Sequence, residues 1–112
     1  MKTLKLYQTD VYIKEWDANI LEIKNSADNT NTFRIILDRT AFFPEGGGQS
    51  CDTGYIEDLK VTDVQEENGL IFHTVICTDA ENISQLKQKS GVKCRIDWGR
   101  RFDNMQRHLG EH

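Results

Sequence analysis

Two histidines near the end of the sequence are the side chains best suited to bind a metal. His108 and His112 form a His-x-x-x-His pattern. On a helix, residues four apart lie one above the other, so both imidazoles can reach a single zinc ion. Zinc prefers four ligands, so this pair supplies only part of a site. The pattern alone leaves a surface pair without metal as an equal alternative.

The same residues permit a second zinc chemistry. With Glu111 between them they read His-x-x-Glu-His, the inverted zincin pattern of metallopeptidases, in which the glutamate is the general base beside the metal. This interpretation needs a third protein ligand beyond His112. It also places Gly110 inside a helix, at a cost of about 1 kcal/mol relative to alanine. We therefore rank a peptidase below another kind of zinc site.

A run of glycines is the second candidate site. Gly46, Gly47 and Gly48 are followed by Gln49. Glycine loses much backbone entropy on ordering, so such a run is most useful where a ligand or another strand approaches the backbone. No Lys-Ser or Lys-Thr follows, which excludes a P-loop, and the next residues predict a strand rather than the helix of a dinucleotide fold. A tight structural corner and a binding loop remain open, and in the second the Gln49 amide can donate and accept hydrogen bonds.

Basic residues are concentrated towards the C-terminal end. The formal net charge is −4, yet residues 93–112 contain five basic and three acidic groups. Their +2 leaves −6 on the rest of the chain. Arg100, Arg101 and Arg107 are therefore candidates for holding phosphates, although a solvated helix face has the same composition.

Length and composition predict one ordered domain. The chain has 112 residues, of which 38% are hydrophobic and 29% charged, so wholesale disorder is not expected. No apolar run exceeds three residues, whereas a spanning helix needs about 20. The N-terminus has no apolar signal core. Cys51, Cys77 and Cys94 form no Cys-x-x-Cys pair, which favours buried or free thiols in a reducing, cytoplasmic location.

Short alternating segments predict a mainly β fold. Strands are predicted at residues 4–7, 18–23, 32–37, 54–57, 60–65, 70–76 and 92–98. Asn68-Gly69 predicts a tight hairpin. Many short strands favour a small antiparallel β-barrel, which we place at residues 1–97.

One helix is predicted, at the end of the chain. Phe102, Met105 and Leu109 recur at helical spacing, and Asp97 is a candidate N-cap. The pattern stops without a C-cap, so we expect residues 98–112 to be the start of a truncated second domain.

Two segments resemble a known family. Residues 40–54 (TAFFPEGGGQSCDTG) closely resemble the glycine-rich loop of the alanyl-tRNA editing family, and residues 96–112 (IDWGRRFDNMQRHLGEH) resemble the start of its zinc helix. The family comprises the editing region of alanyl-tRNA synthetase and the free-standing AlaX proteins. The two motifs occur in the family's order and with comparable separation. The resemblance covers essentially all of this chain, but only the front part of the family's unit.

The resemblance implies a barrel followed by an α/β editing domain, which binds zinc through His-x-x-x-His and a later Cys-x-x-x-His. It implies hydrolysis of the ester that joins serine or glycine, wrongly attached, to alanine tRNA. His108 and His112 match the first zinc pair. The residues then expected to meet tRNA are Gly46, Gly47, Gly48, Gln49, Arg100 and Arg101.

The chain departs from the family pattern at two points. The second zinc pair has no counterpart, so we expect an incomplete zinc site and no activity from this chain alone. Leu109 stands where the family commonly has threonine, which bears on substrate choice. The alternative to an editing fragment is a non-catalytic barrel that docks RNA or a partner protein.

Overall fold

One antiparallel sheet forms most of the structure, a computed structural model that describes residues 2–10, 12–25, 31–46, 50–77, 80–89 and 91–100. Within these ranges its seven strands are ordered β2-β9-β6-β7-β8-β4-β3, and β1 and β5 form a separate parallel pair. The strands are β1 (Leu4–Lys5), β2 (Glu15–Ala18), β3 (Ile20–Asn25), β4 (Thr32–Leu37), β5 (Arg39–Thr40), β6 (Gly54–Ile56), β7 (Leu59–Glu67), β8 (Leu70–Ile76) and β9 (Val92–Ile96). Helix α1 covers Ala80–Gln88, and Leu6–Gln8 form a 3-10 turn.

The sheet curls because its two edge strands are neighbours in the chain. Only Asn19 separates β2 from β3, although these strands lie at opposite edges of the sheet. The Asn19 backbone N–H donates to Asp38 Oδ1 at 2.8 Å, and its side-chain amide donates to Oδ2 at 3.1 Å. These bonds hold the junction of the two edges. The mainly β, antiparallel barrel-type fold is confirmed, as a curled seven-stranded half-barrel.

Some predicted strands have the expected bounds, and the first one is shorter because its residues pack into a turn instead. β4 and β8 have the predicted bounds, and Asn68 (φ 54°) and Gly69 (φ 83°) form the predicted hairpin turn. The first predicted strand ends early, at Lys5, because the backbone turns into the 3-10 segment. That turn buries the ring of Tyr7, whose centroid lies 4.6 Å from that of Phe43.

Helix α1 was not predicted. Its buried apolar side chains are Ile83 and Leu86, and the rest of its described side chains are polar and exposed. Two apolar residues are too few for a helical period to stand out from the sequence. Of the predicted C-terminal helix, residues 98–100 are described and helical. The Arg100 N–H donates to Asp97 Oδ1 at 3.2 Å, so the predicted cap is confirmed.

The cysteines are part of the core. Cys51, Cys77 and Cys94 are all free thiols and all buried, as predicted. Burial raises the pKa of Cys94 to about 12, so this thiol stays protonated and unreactive. No helix in the described part of the chain is long and apolar enough to cross a membrane.

Gly54 offers a direct test of strand packing. A Cβ on Gly54 would lie 2.0 Å from the carbonyl oxygen of Arg95, whereas a Cβ on Gly46 would have nothing within 4 Å. We expect Gly54→Ala to lower the free energy of unfolding by at least about 2 kcal/mol, because backbone atoms must separate. Gly46→Ala is the matched control and should stay within about 0.5 kcal/mol of the parent. Urea unfolding measures both, and equal stabilities would contradict the close approach of β6 and β9.

Candidate functional site

The glycine-rich loop is closed at its base by two hydrogen bonds. The Phe43 N–H donates to Asp52 Oδ2 at 2.7 Å, and the Asp52 N–H donates to the Phe43 carbonyl at 2.9 Å. Asp52 is buried, so its carboxylate is held in place by the surrounding protein. We call Phe43 and Asp52 the loop neck. It brings the two ends of residues 44–51 together whatever the loop itself does.

A buried histidine supports the chain that leads into the neck. His73 Nδ1 lies 2.9 Å from the Ile35 carbonyl, which can only accept, so Nδ1 carries the proton. Nε2 then accepts from the Thr40 hydroxyl at 2.9 Å, and Thr40 Oγ1 accepts from the Phe42 N–H at 3.1 Å. Burial lowers the pKa of His73 to about 4, which keeps the ring neutral. His73 is thus structural, as its place in a strand predicts.

The Phe42 ring fixes the same segment through aromatic packing. Phe42 is fully buried and meets the rings of Trp16 and His73 edge-on, with centroids 5.0 Å and 5.3 Å away. Such edge-to-face pairs stabilise by about 0.5–1.5 kcal/mol beyond burial. The backbone that delivers the glycines is therefore rigid up to the neck.

A β-bulge turns polar side chains of β7 towards the loop. The register of β7 against β8 shifts between Val61 and Asp63, which moves Asp63 and Gln65 off the core face. The Gln65 amide donates to Asp63 Oδ1 at 3.1 Å and reaches Glu45 Oε1 at 3.5 Å. The Cys51 thiol lies 3.7 Å from the same Asp63 oxygen, and burial raises its pKa, so it is a donor rather than a thiolate.

The final helix starts directly against the loop neck. The Asp97 N–H donates to the Thr53 carbonyl at 2.7 Å. Arg100 Nε donates to the Cys51 carbonyl at 3.1 Å. The glycine-rich motif and the helix motif, more than forty residues apart in the sequence, are therefore adjacent in space.

The predicted site residues divide into two groups. Gly46 is exposed with open space around it, which suits a binding loop better than a packed corner. Arg100 is also exposed, and one of its donors holds the loop to the helix. The remaining predicted site residues lie outside the described residues: Gly47, Gly48, Gln49, Arg101, His108 and His112.

Sequence reasoning missed two residues of this region. Asp52 closes the neck, and the signal for it was an acidic residue inside the glycine-rich motif, next to a buried cysteine. Asp63 left no such signal, because a bulge is not visible in strand alternation. Among the described residues no group of three or more His, Cys, Asp or Glu side chains is arranged to hold a metal. The zinc prediction therefore depends on His108 and His112.

Comparison with known proteins identifies the family. The family model for tRNA synthetases class II (A) matches residues 3–100. The chain belongs to this family. Alanine–tRNA ligase of Pyrococcus abyssi is 39% identical over 115 residues, which cover 99% of this chain and 11% of the ligase. The alanyl-tRNA editing protein AlaX-M of Pyrococcus horikoshii is 38% identical over 111 residues, or 98% of this chain and 46% of that protein.

A second editing protein of the same organism, AlaX-L, is 38% identical over 117 residues, which cover 96% of this chain and 26% of AlaX-L. The chain thus spans less than half the length of each of these three relatives. The resemblance to the alanyl-tRNA editing family is confirmed, and it covers only part of the length of these relatives.

The buried His73 predicts a pH dependence of stability. Burial lowers its folded pKa to about 4, below the ordinary histidine value of 6.5, so the unfolded chain binds the proton first as the pH falls. The contribution of the neutral His73 to the free energy of unfolding is fully present above pH 6.5. It declines as the pH falls to about 4, by roughly 3 kcal/mol in total. We expect urea unfolding of His73→Gln to lack this part of the decline. His108, His112 and the carboxylates are common to both proteins, so equal pH profiles would contradict the prediction.

Proposed function

We propose that this chain is the loop-bearing barrel of an aminoacyl-tRNA deacylase, which hydrolyses serine or glycine wrongly esterified to alanine tRNA. Its ligand is then the aminoacylated end of that tRNA. The observation that carries the proposal is the contact of Arg100 Nε with the Cys51 carbonyl at 3.1 Å. It joins the glycine-rich motif to the helix motif, and the same two motifs carry the family resemblance.

Within this proposal the glycine loop receives the tRNA end. The neck formed by Phe43 and Asp52 is rigid, whereas Gly46 has open space where a side chain would be. A loop without side chains lets a ribose or an aminoacyl group approach the backbone N–H groups. Gln49 adds an amide that can donate to a carbonyl and accept from a hydroxyl. Arg100 and Arg101, which follow Asp97 in the sequence, then hold the neighbouring phosphates.

We further propose that His108 and His112 supply two ligands of a zinc ion. Imidazole pairs four residues apart on a helix suit this metal. When bound, zinc polarises an ester carbonyl, activates water or orients the terminal ribose. This chain's own contribution is to hold the start of that helix, through the Asp97 cap and the Arg100 contact, against the loop neck.

The editing interpretation is favoured over the other two. The relatives described above are ligases and editing proteins rather than peptidases, which speaks against the inverted zincin. A non-catalytic docking barrel would not need the His-x-x-x-His pattern of His108 and His112. A deacylation assay tests the docking alternative, which predicts binding of RNA without hydrolysis.

The zinc proposal predicts the effect of removing either histidine. In the full-length protein, His108→Ala and His112→Ala should each lower zinc content and slow deacylation of Ser-tRNA by on the order of 100-fold, since losing a ligand costs at least as much as losing an outer-shell partner of one. Gln106→Ala changes a neighbouring residue with no imidazole and is the control. Metal content and deacylation are measured on the same samples. Full activity in a variant without zinc would refute the metal role.

The loop proposal predicts a separation of activity from stability. In the full-length protein, Gly47→Val should slow deacylation roughly tenfold or more, because a branched side chain blocks approach to the backbone. The melting temperature should change by only a few degrees, as expected for a change of about 1 kcal/mol or less. If activity and melting temperature fell together, the glycines would be a structural corner.

A further inference from the structure

A groove on the outer face of the sheet lies beside the loop neck and the start of the final helix. Its volume is about 440 Å³, and Thr53, Gly54 and Asp97 form its end nearest the neck. Its distinctive side chains, which we call the basic–aromatic groove, are Lys14, Tyr55, Lys60, Arg95 and Trp98.

Strand register places three of these side chains in one row. Tyr55 of β6 is paired with Arg95 of β9 on one side and with Lys60 of β7 on the other. Side chains in neighbouring strands at such positions lie about 5 Å apart. The row therefore presents an aromatic ring between two cations.

Glu15 of β2 is the register partner of Arg95, but the cations of the groove form no close ion pair within the described residues. Among the described residues the ion pairs join other side chains, and Lys14, Lys60 and Arg95 take part in none of them. Instead, the Arg95 guanidinium stacks over the Tyr55 ring at 5.1 Å, and Lys14 Nζ lies 5.2 Å from the centre of the Trp98 ring. A guanidinium stacked on a ring keeps its N–H edge available for an anion.

Exposed aromatic surface accompanies the charge. Tyr55 is 39% exposed, and Tyr12, whose ring centroid lies 6.0 Å from that of Trp98, is 67% exposed. Large aromatic side chains left in water beside unpaired cations are typical of surfaces that take stacked bases and phosphates together.

A second depression, which shares Glu15 and Arg95 with the groove, is more acidic. It has a volume of about 630 Å³ and is lined by Glu15, Asp17, Glu57 and Asp58 as well as by basic residues. Four carboxylates would repel a phosphate backbone. The basic–aromatic groove has three cations and the carboxylates of Glu15 and Asp97, and Asp97 is occupied in capping the helix.

We infer that the basic–aromatic groove binds the unpaired 3′ nucleotides of the tRNA, with a base stacked on Tyr55 and phosphates on Arg95 and Lys60. The inference rests on the proposed function and extends it to a surface away from the glycines. Unpaired nucleotides fit better than a duplex because only they expose base faces for stacking. Thr53, next to Asp52 of the neck, and the helix cap Asp97 both line the groove, so a strand lying in it passes close to the base of the glycine-rich loop.

The test uses the full-length protein and a labelled minihelix of the alanine tRNA acceptor stem, with and without its unpaired 3′ nucleotides. The double variant Lys60→Gln, Arg95→Gln should bind the intact minihelix about tenfold more weakly, and the salt dependence of log K should fall by roughly 1.4 for two lost phosphate contacts. Tyr55→Leu should weaken binding of the intact minihelix roughly fivefold or more and leave the shortened one unchanged.

Arg34→Gln is the matched control. Arg34 also lies over an aromatic ring, with its Cζ 4.2 Å from the centre of Phe72, but Glu67 pairs with it and it lies on β4, away from the groove. Its loss should leave RNA binding unchanged. Lys60→Gln alone removes an exposed side chain and keeps the test valid if the double variant does not fold.

The outcomes separate this inference from the proposed function. If the variants bind and deacylate like the parent, the groove inference is wrong and the editing function stands. If the parent neither binds the minihelix nor deacylates tRNA, both are wrong. A parent that prefers an acidic peptide to the minihelix also overturns the inference, in favour of a protein partner.

Discussion

The close approach of β6 to β9 is the constraint on which the candidate site depends. At Gly54 the two backbones are so near that a Cβ would overlap the Arg95 carbonyl oxygen, at 2.0 Å. β6 follows the glycine-rich loop, and β9 precedes the final helix. Pairing them brings both motifs to one end of the sheet, where Thr53 accepts from the Asp97 N–H. A side chain at position 54 would separate the two motifs as well as the strands.

Polar groups around the loop are buried and paired, which makes its base stiff. His73, Thr40 and the Phe42 N–H form one continuous chain of hydrogen bonds, and Asp52 closes the neck. Leaving any of these groups unpaired inside the protein would cost about 1–3 kcal/mol. At Gly46, by contrast, a Cβ would have nothing within 4 Å. A rigid base beside open space at Gly46 is the geometry that the proposed binding loop requires.

The sequence was informative where a local rule governs the backbone, and uninformative where tertiary contacts do. Asn68-Gly69 and the cap Asp97 follow from positive φ and from unpaired N–H groups, and both are present. Helix α1 has too few buried apolar residues to be recognised, and the bulge at Asp63 depends on β8 as much as on β7. The basic–aromatic groove was not predicted, since its members come from four separate segments and only strand register assembles them.

The distribution of charge gives the candidate site a direction. Lys60 and Asp63 are only three residues apart on β7, yet Lys60 lines the groove while Asp63 lies with Glu45 and Gln65 beside the loop. A polyanion is attracted on one side of the neck and repelled on the other, and repulsion contributes to specificity as much as attraction does. On a chain of net charge −4, such placement matters more than the number of basic residues. Under the groove inference, phosphates stay on the cations of the groove, because the carboxylates of Glu45 and Asp63 disfavour them on that side of the loop.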